Sequence, residues 1–188
     1  MPVAEKMTAA EFIQLQATHG RHRWIELIDG EIVVNEPGAG HNLIQMNLVV
    51  ALAVWCRAEQ GRGAAYLPMD VGMDAHNVFQ PDLLWYAEGR APHPDAPPPY
   101  VIPDLAIEVR SPSTWRYDLG AKKAAYEEKE LPELWLVDTL AHTVLVYRRS
   151  RSDSPAFDVA LELEEGVQLT SPLLPGFAMA VVDVFGLP

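Results

Sequence analysis

The sequence predicts one mixed α/β or α+β domain spanning residues 1–188. Three observations point to it. Short apolar runs of strand length recur between Gly, Pro, Asn and Asp punctuation. Two stretches, 41–60 and the one after residue 113, carry helical spacing instead. The chain has 188 residues, 49% of them hydrophobic, which supplies one sizeable core and is too apolar for global disorder.

Thr8 with Glu11 three residues on forms a capping box. A short helix should follow it to about residue 19 and stop at Gly20. Residues 24–28 and 31–35 flank Asp29-Gly30, a pair that tolerates the positive φ angles of a tight hairpin turn. Residues 41–60 read as one long helix, ended by Gly61. Its Leu43, Met46, Leu48, Val49, Leu52, Val54 and Trp55 are too apolar to lie in water, so it should pack on a sheet. Strands are expected at 64–67, 69–73 and 83–86. Residues 88–100 carry Pro92, Pro94, Pro97, Pro98 and Pro99, and Pro103 closes the segment. Such proline density forbids helix or central strand and implies an extended loop between core strands, beside the polar residues described next.

Residues 103–110 alternate, with Leu105, Ile107 and Val109 on one face and Asp104, Glu108 and Arg110 among those on the other. A carboxylate inside such a strand costs free energy unless a cation, a metal or hydrogen bonds compensate it. Ser111-Pro112-Ser113 breaks the strand, and a helix should follow with Asp118, Lys122 and Tyr126 four apart along one face. Residues 133–138 and 143–148 form a hairpin, 150–155 an exposed turn, and 157–163 and 167–169 edge strands. From Leu174 an apolar C-terminal tail should dock on the core, and no internal repeat is present.

Composition excludes several classes. Lys and Arg total 14 against 26 Asp and Glu, a net charge of −12, which argues against a strongly basic nucleic-acid binder but leaves room for a local basic groove. Cys56 is alone, so no internal disulfide and no cysteine zinc site is expected, and it reads as a small buried hydrophobe. No run reaches the length of an apolar membrane span and no signal-peptide core is visible, so the expected compartment is the cytoplasm, with no membrane partner.

Asp82 follows Pro81 at the mouth of one strand, and Glu108 lies inside the next. If the strands pair, the two carboxylates converge on a hard oxygen site suited to Mg²⁺. Lys122 is the best placed lysine to orient or deprotonate a water there. The structural readings are weighed beside these. Asp118 with Lys122 is an i,i+4 ion pair, Tyr126 a packing residue with a polar handle, and Glu26 a strand salt bridge. His41 and Gln45 are one turn apart and line the site or merely start a helix. Trp115 and Arg116 flank it and are candidates to touch nucleic acid. Asp104 is set aside: it stands about 13 Å from Glu108 along the strand, too far to share a metal.

Pro81-Asp82 followed by Glu108-Val109-Arg110 resembles the PD-(D/E)XK nuclease pattern. The order Glu26-Leu27-Ile28-Asp29-Gly30-Glu31, His41, Pro103-Asp104-Leu105-Ala106-Ile107-Glu108-Val109, Asp118, Lys122, Tyr126 and Leu134-Trp135-Leu136-Val137-Asp138 resembles the Uma-two-type endonuclease family over nearly the whole chain. The resemblance implies a restriction-endonuclease-like fold, a central mixed sheet flanked by helices. It implies Asp82, Glu108 and the main-chain oxygen of Val109 as ligands for Mg²⁺ or Mn²⁺. It also implies a nucleic-acid substrate, DNA before RNA, and a homodimer, for which the exposed hairpin and C-terminal tail are candidate contacts. The pattern's lysine position holds Arg110, a poor base that can still bind phosphate. The family places a lysine on the following helix, which matches Lys122. Asp82, Glu108 and Lys122 are therefore the expected catalytic set, with Arg110, Glu26, His41, Gln45, Asp118 and Tyr126 around them. The expected activity is metal-dependent endonucleolytic hydrolysis. The alternative, favoured by the acidic balance and by Arg110, is a non-catalytic protein of this fold that binds nucleic acid or a protein partner.

Overall fold

The computed structural model describes residues 6–19 and 24–186. Gly20, the expected helix stop, lies outside them. In chain order the elements are α1 Ala9–His19, β1 Ile25–Ile28, β2 Glu31–Val34, α2 Ala39–Ala58, β3 Ala64–Tyr66, β4 Val71–Asp74, β5 Asn77–Phe79, β6 Leu83–Tyr86 and β7 Leu105–Val109. They continue with α3 Trp115–Tyr117, a π-helical turn Asp118–Lys122, α4 Lys123–Glu128, β8 Glu133–Asp138, β9 Thr143–Arg148, β10 Val159–Leu163, β11 Gln168–Leu169, β12 Met179–Ala180 and α5 Val181–Phe185.

Local chemistry accounts for several boundaries. The capping box forms: Thr8 N–H donates to Glu11 Oε2 at 2.8 Å, and Glu11 N–H to Thr8 Oγ1 at 3.3 Å. The β1–β2 turn uses Asp29 at φ 51° and Gly30 at φ 78°, the positive pair that a two-residue hairpin requires.

Six strands form the main sheet in the order β10-β9-β8-β7-β6-β3, with β7 and β8 parallel and the other neighbours antiparallel. One parallel pair fits the helical crossover between β7 and β8. Leu83, Leu105, Ile107, Val109, Trp135 and Val137 face α2 and the C-terminal segment, where Leu174, Phe177 and Val184 are buried. Leu84, Tyr86, Ala106, Leu134 and Leu136 face the other way, toward Tyr126 of α4 and toward Ile28, Val71 and Phe79. The last three belong to a second, four-stranded sheet ordered β2-β1-β5-β4. On its far side α1 packs Phe12 against Leu27 and Val78. A mixed sheet covered by helices matches the expected architecture.

Five expectations need correction here. Strand β5 was not anticipated: Asp74-Ala75-His76-Asn77 is a turn signal, but the three-residue strand after it is too short to show a period. Residues 88–100 do form the extended loop between β6 and β7. They leave the sheet at the Tyr86 and Leu105 ends, however, whereas Asp82 and Glu108 lie toward the opposite ends of those strands. Helix α2 packs Ile44, Leu48, Leu52 and Trp55 on the sheet, yet Met46, Val50 and Val54 remain exposed. By length and composition alone α2 would suffice to cross a membrane, contrary to the sequence reading. Here it is built into the fold: its His41, Gln45 and Asn47 bond to the start of β6 and to the α5 segment. Cys56 is half-buried against the core rather than fully enclosed.

Candidate functional site

Antiparallel register pairs Leu83 with Ile107, so Asp82 and Glu108 stand opposite each other one step on. Opposed residues share a face of the sheet, and both are buried, at 3% exposure. Asp82 Oδ2 accepts the Val109 N–H at 2.7 Å and stands 3.1 Å from His41 Nε2. Gln45, one turn along α2, donates from Nε2 to the Asp82 carbonyl at 2.8 Å. The first turns of α2 therefore grip Asp82 at both its carboxylate and its backbone. Asp82 is a buried, hydrogen-bonded residue, not a ligand on an open cleft.

Glu108 is held from the crossover. Tyr126 Oη donates to Glu108 Oε1 at 2.7 Å, and Lys122 Nζ lies 2.7 Å from the same oxygen. Lys122 Nζ also stands 2.9 Å from Glu26 Oε1 and 3.2 Å from Asp118 Oδ1. Glu26 in turn accepts the Gln80 N–H at 2.7 Å. The ammonium sits 5.6 Å from the centre of the Phe79 ring, which meets Tyr126 edge-on. Strand β1, the β5–β6 link, β7 and the crossover thus each send a group to one buried point. Asp118 and Lys122 lie in a π-helical turn, not in the plain α-helix that their spacing suggested. In an α-helix eight residues at 100° would spread Asp118 and Tyr126 by about 80°. The i→i+5 turn advances less per residue and brings both to Lys122 and Glu108.

Sequence reasoning missed the Gln80 backbone and the Phe79 ring, since both depend on β5. It also misplaced Arg110. Its Nη1 pairs with Asp138 at 2.8 and 2.9 Å, and its guanidinium lies 5.4 Å from the centre of the Trp115 ring. Arg110 follows the end of β7, where its face-sharing with Glu108 no longer holds, and Asp138 at the end of β8 is nearer. Arg116 is exposed and lies over Tyr117.

Three carboxylates around one ammonium leave excess negative charge in a dry place. Burial pushes Glu26 and Glu108 up to about 7 and Asp118 to about 6, although Lys122 pulls each down. Burial alone would lower Lys122, but Glu108, Glu26 and Asp118 raise it well above its ordinary value, so it remains an ammonium. Burial likewise opposes the charged form of His41, and Asp82 overrides it, leaving the imidazole raised. Raised carboxylates bind protons more tightly folded than unfolded, so stability falls as pH rises through the window from about 4.5 to about 7. A raised His41 acts in the same direction. The metal-free protein is therefore expected to melt at a higher temperature at pH 5.5 than at pH 8. Scanning calorimetry in chelator checks this, and a melting temperature that rises with pH over that interval would contradict it.

The donor set fits a hard divalent cation. Asp82 and Glu108 are oxygen donors on paired strands, and the single ammonium of Lys122 leaves the carboxylates around it in excess. Among the described residues no group of three or more His, Cys, Asp or Glu side chains is arranged to hold a metal ion.

A central mixed sheet flanked by helices places the chain in the nuclease-like class of folds. A solved structure of this kind, described as "a putative nuclease belonging to DUF820 from Anabaena variabilis ATCC 29413", superposes with a TM-score of 0.75 over 95% of this chain and 97% of its own, at 21% identity. At that identity the match shows the fold. The model of the Uma2 family, "Putative restriction endonuclease", matches residues 9–182, and the chain belongs to that family. Both findings are consistent with the restriction-endonuclease-like superfamily. Among curated proteins none matches the chain.

Proposed function

We propose that the protein is a divalent-metal-dependent endonuclease that hydrolyses phosphodiester bonds of nucleic acid, DNA in preference to RNA. The observation that carries the reading is that Glu108, in contact with Lys122 of the crossover, stands opposite Asp82 across paired strands, with all three side chains buried. Asp82 and Glu108 would hold Mg²⁺ or Mn²⁺, with the Val109 carbonyl as third ligand. The Val109 N–H points to Asp82, and the N–H and C=O of one strand residue point to the same side, which favours that carbonyl. A bound cation supplies Lewis-acid stabilisation of charge on the phosphoryl oxygens.

The chain's own groups do the rest. Lys122, held as an ammonium with its donors turned to Glu26, Glu108 and Asp118, supplies the fixed positive charge that offsets developing negative charge on the phosphoryl group. Because its proton affinity is raised, it is a fixed cation and not the proton acceptor that sequence reasoning allowed. Glu26 touches Lys122 and has its pKa pushed up to about 7, in the range suited to accepting the water's proton. His41 and Gln45 hold Asp82 in place, and Tyr126 orients Glu108.

The test is cleavage of a panel of single- and double-stranded DNA and RNA with Mn²⁺, wild type beside Glu108→Ala. Cleavage by wild type and none by the variant supports the reading. Absence of cleavage by wild type on every substrate transfers the weight to a non-catalytic nucleic-acid or protein binder. A narrower expectation concerns Tyr126→Phe, which removes only the hydroxyl on Glu108. Outer-shell losses of this kind typically cost about 10- to 100-fold in metal affinity, and calorimetric titration with Mn²⁺ should show about 10-fold. Unchanged affinity would mean that Lys122 alone orients the carboxylate.

A further inference from the structure

The most acidic feature of the chain is its overall charge, and one cavity escapes it. A cavity of about 530 Å³ beside α1 includes Glu11, and one of about 900 Å³ along α2 includes Asp183. Two others include Glu162, Glu164 and Glu165, or Glu59 and Glu88. A fifth, of about 370 Å³, lies where the first turn of α2 meets the end of β7 and the β8–β9 turn. Its walls include Gly38, Gly40, His41, Arg110, Ser111 and His142 and, among the described residues, no Asp or Glu. In a chain of net charge −12, this cavity is the least hostile of the five to an anion: its lining carries one arginine and two histidines, and the carboxylates that pair with them, Asp138, Asp82 and Glu165, stand behind the wall.

The floor of the cavity carries further signs. Helix α2 begins without a side-chain cap and has no acid in its first turn, so its leading N–H groups lack a side-chain partner. Gly38 has φ −83°, which any residue adopts, and a Cβ at Gly38 or Gly40 would meet nothing within 4 Å. Gly38 is the N-cap, where glycine is common, but at Gly40 neither backbone strain nor internal packing calls for glycine, whereas a ligand resting on the backbone would. His41, 5% exposed, forms the wall between this cavity and the carboxylate pair. Its Nε2 faces Asp82, and Nδ1, across the ring, has no hydrogen-bond partner among the described residues. Arg110 spends only Nη1 on Asp138, and Asp138 is anchored independently by the N–H groups of Leu140 and Ala141. Its side chain is one-quarter exposed and its Nε and Nη2 take no partner among the described residues.

We infer that this cavity binds a backbone phosphate of the nucleic-acid strand, one neighbouring the phosphate to be cleaved. The inference rests on the nuclease reading and adds to it a second point of attachment. The α2 N–H groups and Arg110 hold the phosphate oxygens, His41 Nδ1 closes the inner side, and the strand is thereby registered against Asp82 and Glu108. The volume accommodates a phosphate with part of its sugar and not a duplex, so the duplex or single strand lies outside with one phosphate inserted.

The decisive variant is Gly40→Glu. The position is exposed and sterically open, and an acid in the first turn of a helix is favourable, so the fold and melting temperature should hold. The new carboxylate would occupy the mouth of the cavity and repel phosphate. Binding is read by fluorescence anisotropy of a dye-labelled DNA duplex with Ca²⁺ in place of Mg²⁺. Gly40→Glu and Arg110→Ala should each bind about 10-fold more weakly than wild type, and Arg110→Ala should lower the slope of log affinity against log salt by about 1. Calorimetric uptake of Mn²⁺ should be the same in both variants as in wild type. DNA affinity unchanged in Gly40→Glu, with Mn²⁺ uptake intact, overturns the phosphate site and leaves the metal reading standing. If wild type takes up neither Mn²⁺ nor DNA, the nuclease reading fails and this inference fails with it.

Discussion

Replacing Lys122 by methionine is expected to lower single-turnover cleavage by at least about 10²-fold, the scale of a lost electrostatic or acid–base group. The side chain is 2% exposed and touches Glu26, Glu108 and Asp118, so no other cation in the cluster can substitute for it. Methionine keeps much of the stem's volume and removes the charge. The variant also leaves three buried carboxylates without a counter-charge, and breaking a buried ion pair costs about 3–5 kcal/mol. Protonation of Glu26 and Glu108, already poised at about 7, will absorb part of that. Cleavage is therefore measured in saturating Mn²⁺, with circular dichroism to confirm folding. Lys123→Ala is the control: its ammonium lies over Tyr147 at 4.6 Å, about 100° around the helix, and it should cleave like wild type. A folded Lys122→Met protein that cleaves at the wild-type rate would remove Lys122 from the mechanism.

Asp82→Asn is expected to abolish uptake of divalent metal, measured by titration with Mn²⁺, because a neutral amide is a poor substitute for one of only two carboxylates. The amide oxygen can still accept the Val109 N–H, and the amide –NH₂ has to turn away from His41 or make it an acceptor. The protein should remain folded. Its stability change is the balance of two opposed effects: a lost charge-assisted hydrogen bond to His41, and relief of repulsion from Glu108. Wild-type Mn²⁺ affinity in the variant would show that the metal, if bound, does not use Asp82.

Much of this arrangement could be read along the chain because it depends on local periods. Alternation in 105–109 showed a strand with an acid facing inward, and the spacing of Asp118, Lys122 and Tyr126 showed one face of a helical crossover. The Asp29-Gly30 turn and the Thr8 capping box formed as their chemistry requires. What stayed hidden depended on contacts distant in sequence. Asn77–Phe79 is too short for a pattern and becomes a strand only between its neighbours β1 and β4. Arg110 shares a period with Glu108, but beyond the last ladder pair the chain turns, and Asp138 from the parallel strand takes its guanidinium. The proline-rich loop is near Glu108 in sequence and at the far end of its strand in space.

The sequence by itself determined the fold class and the order of most elements, since these follow from periodicity and turn chemistry, and it singled out Asp82, Glu108 and Lys122 as candidates by residue type and spacing. Only the tertiary structure decided that Glu26, 96 residues from Lys122, closes around its ammonium, that His41 and Gln45 reach across to grip Asp82, and that a π-helical turn brings Asp118 and Tyr126 into line. It also decided the charge state: a lysine that reads from its type as a possible base is held as a cation by three buried carboxylates. The physical reason is one and the same. Proton affinity and metal-binding geometry depend on distance and on the exclusion of water, and neither quantity exists until the sheet pairs and the helices cover it.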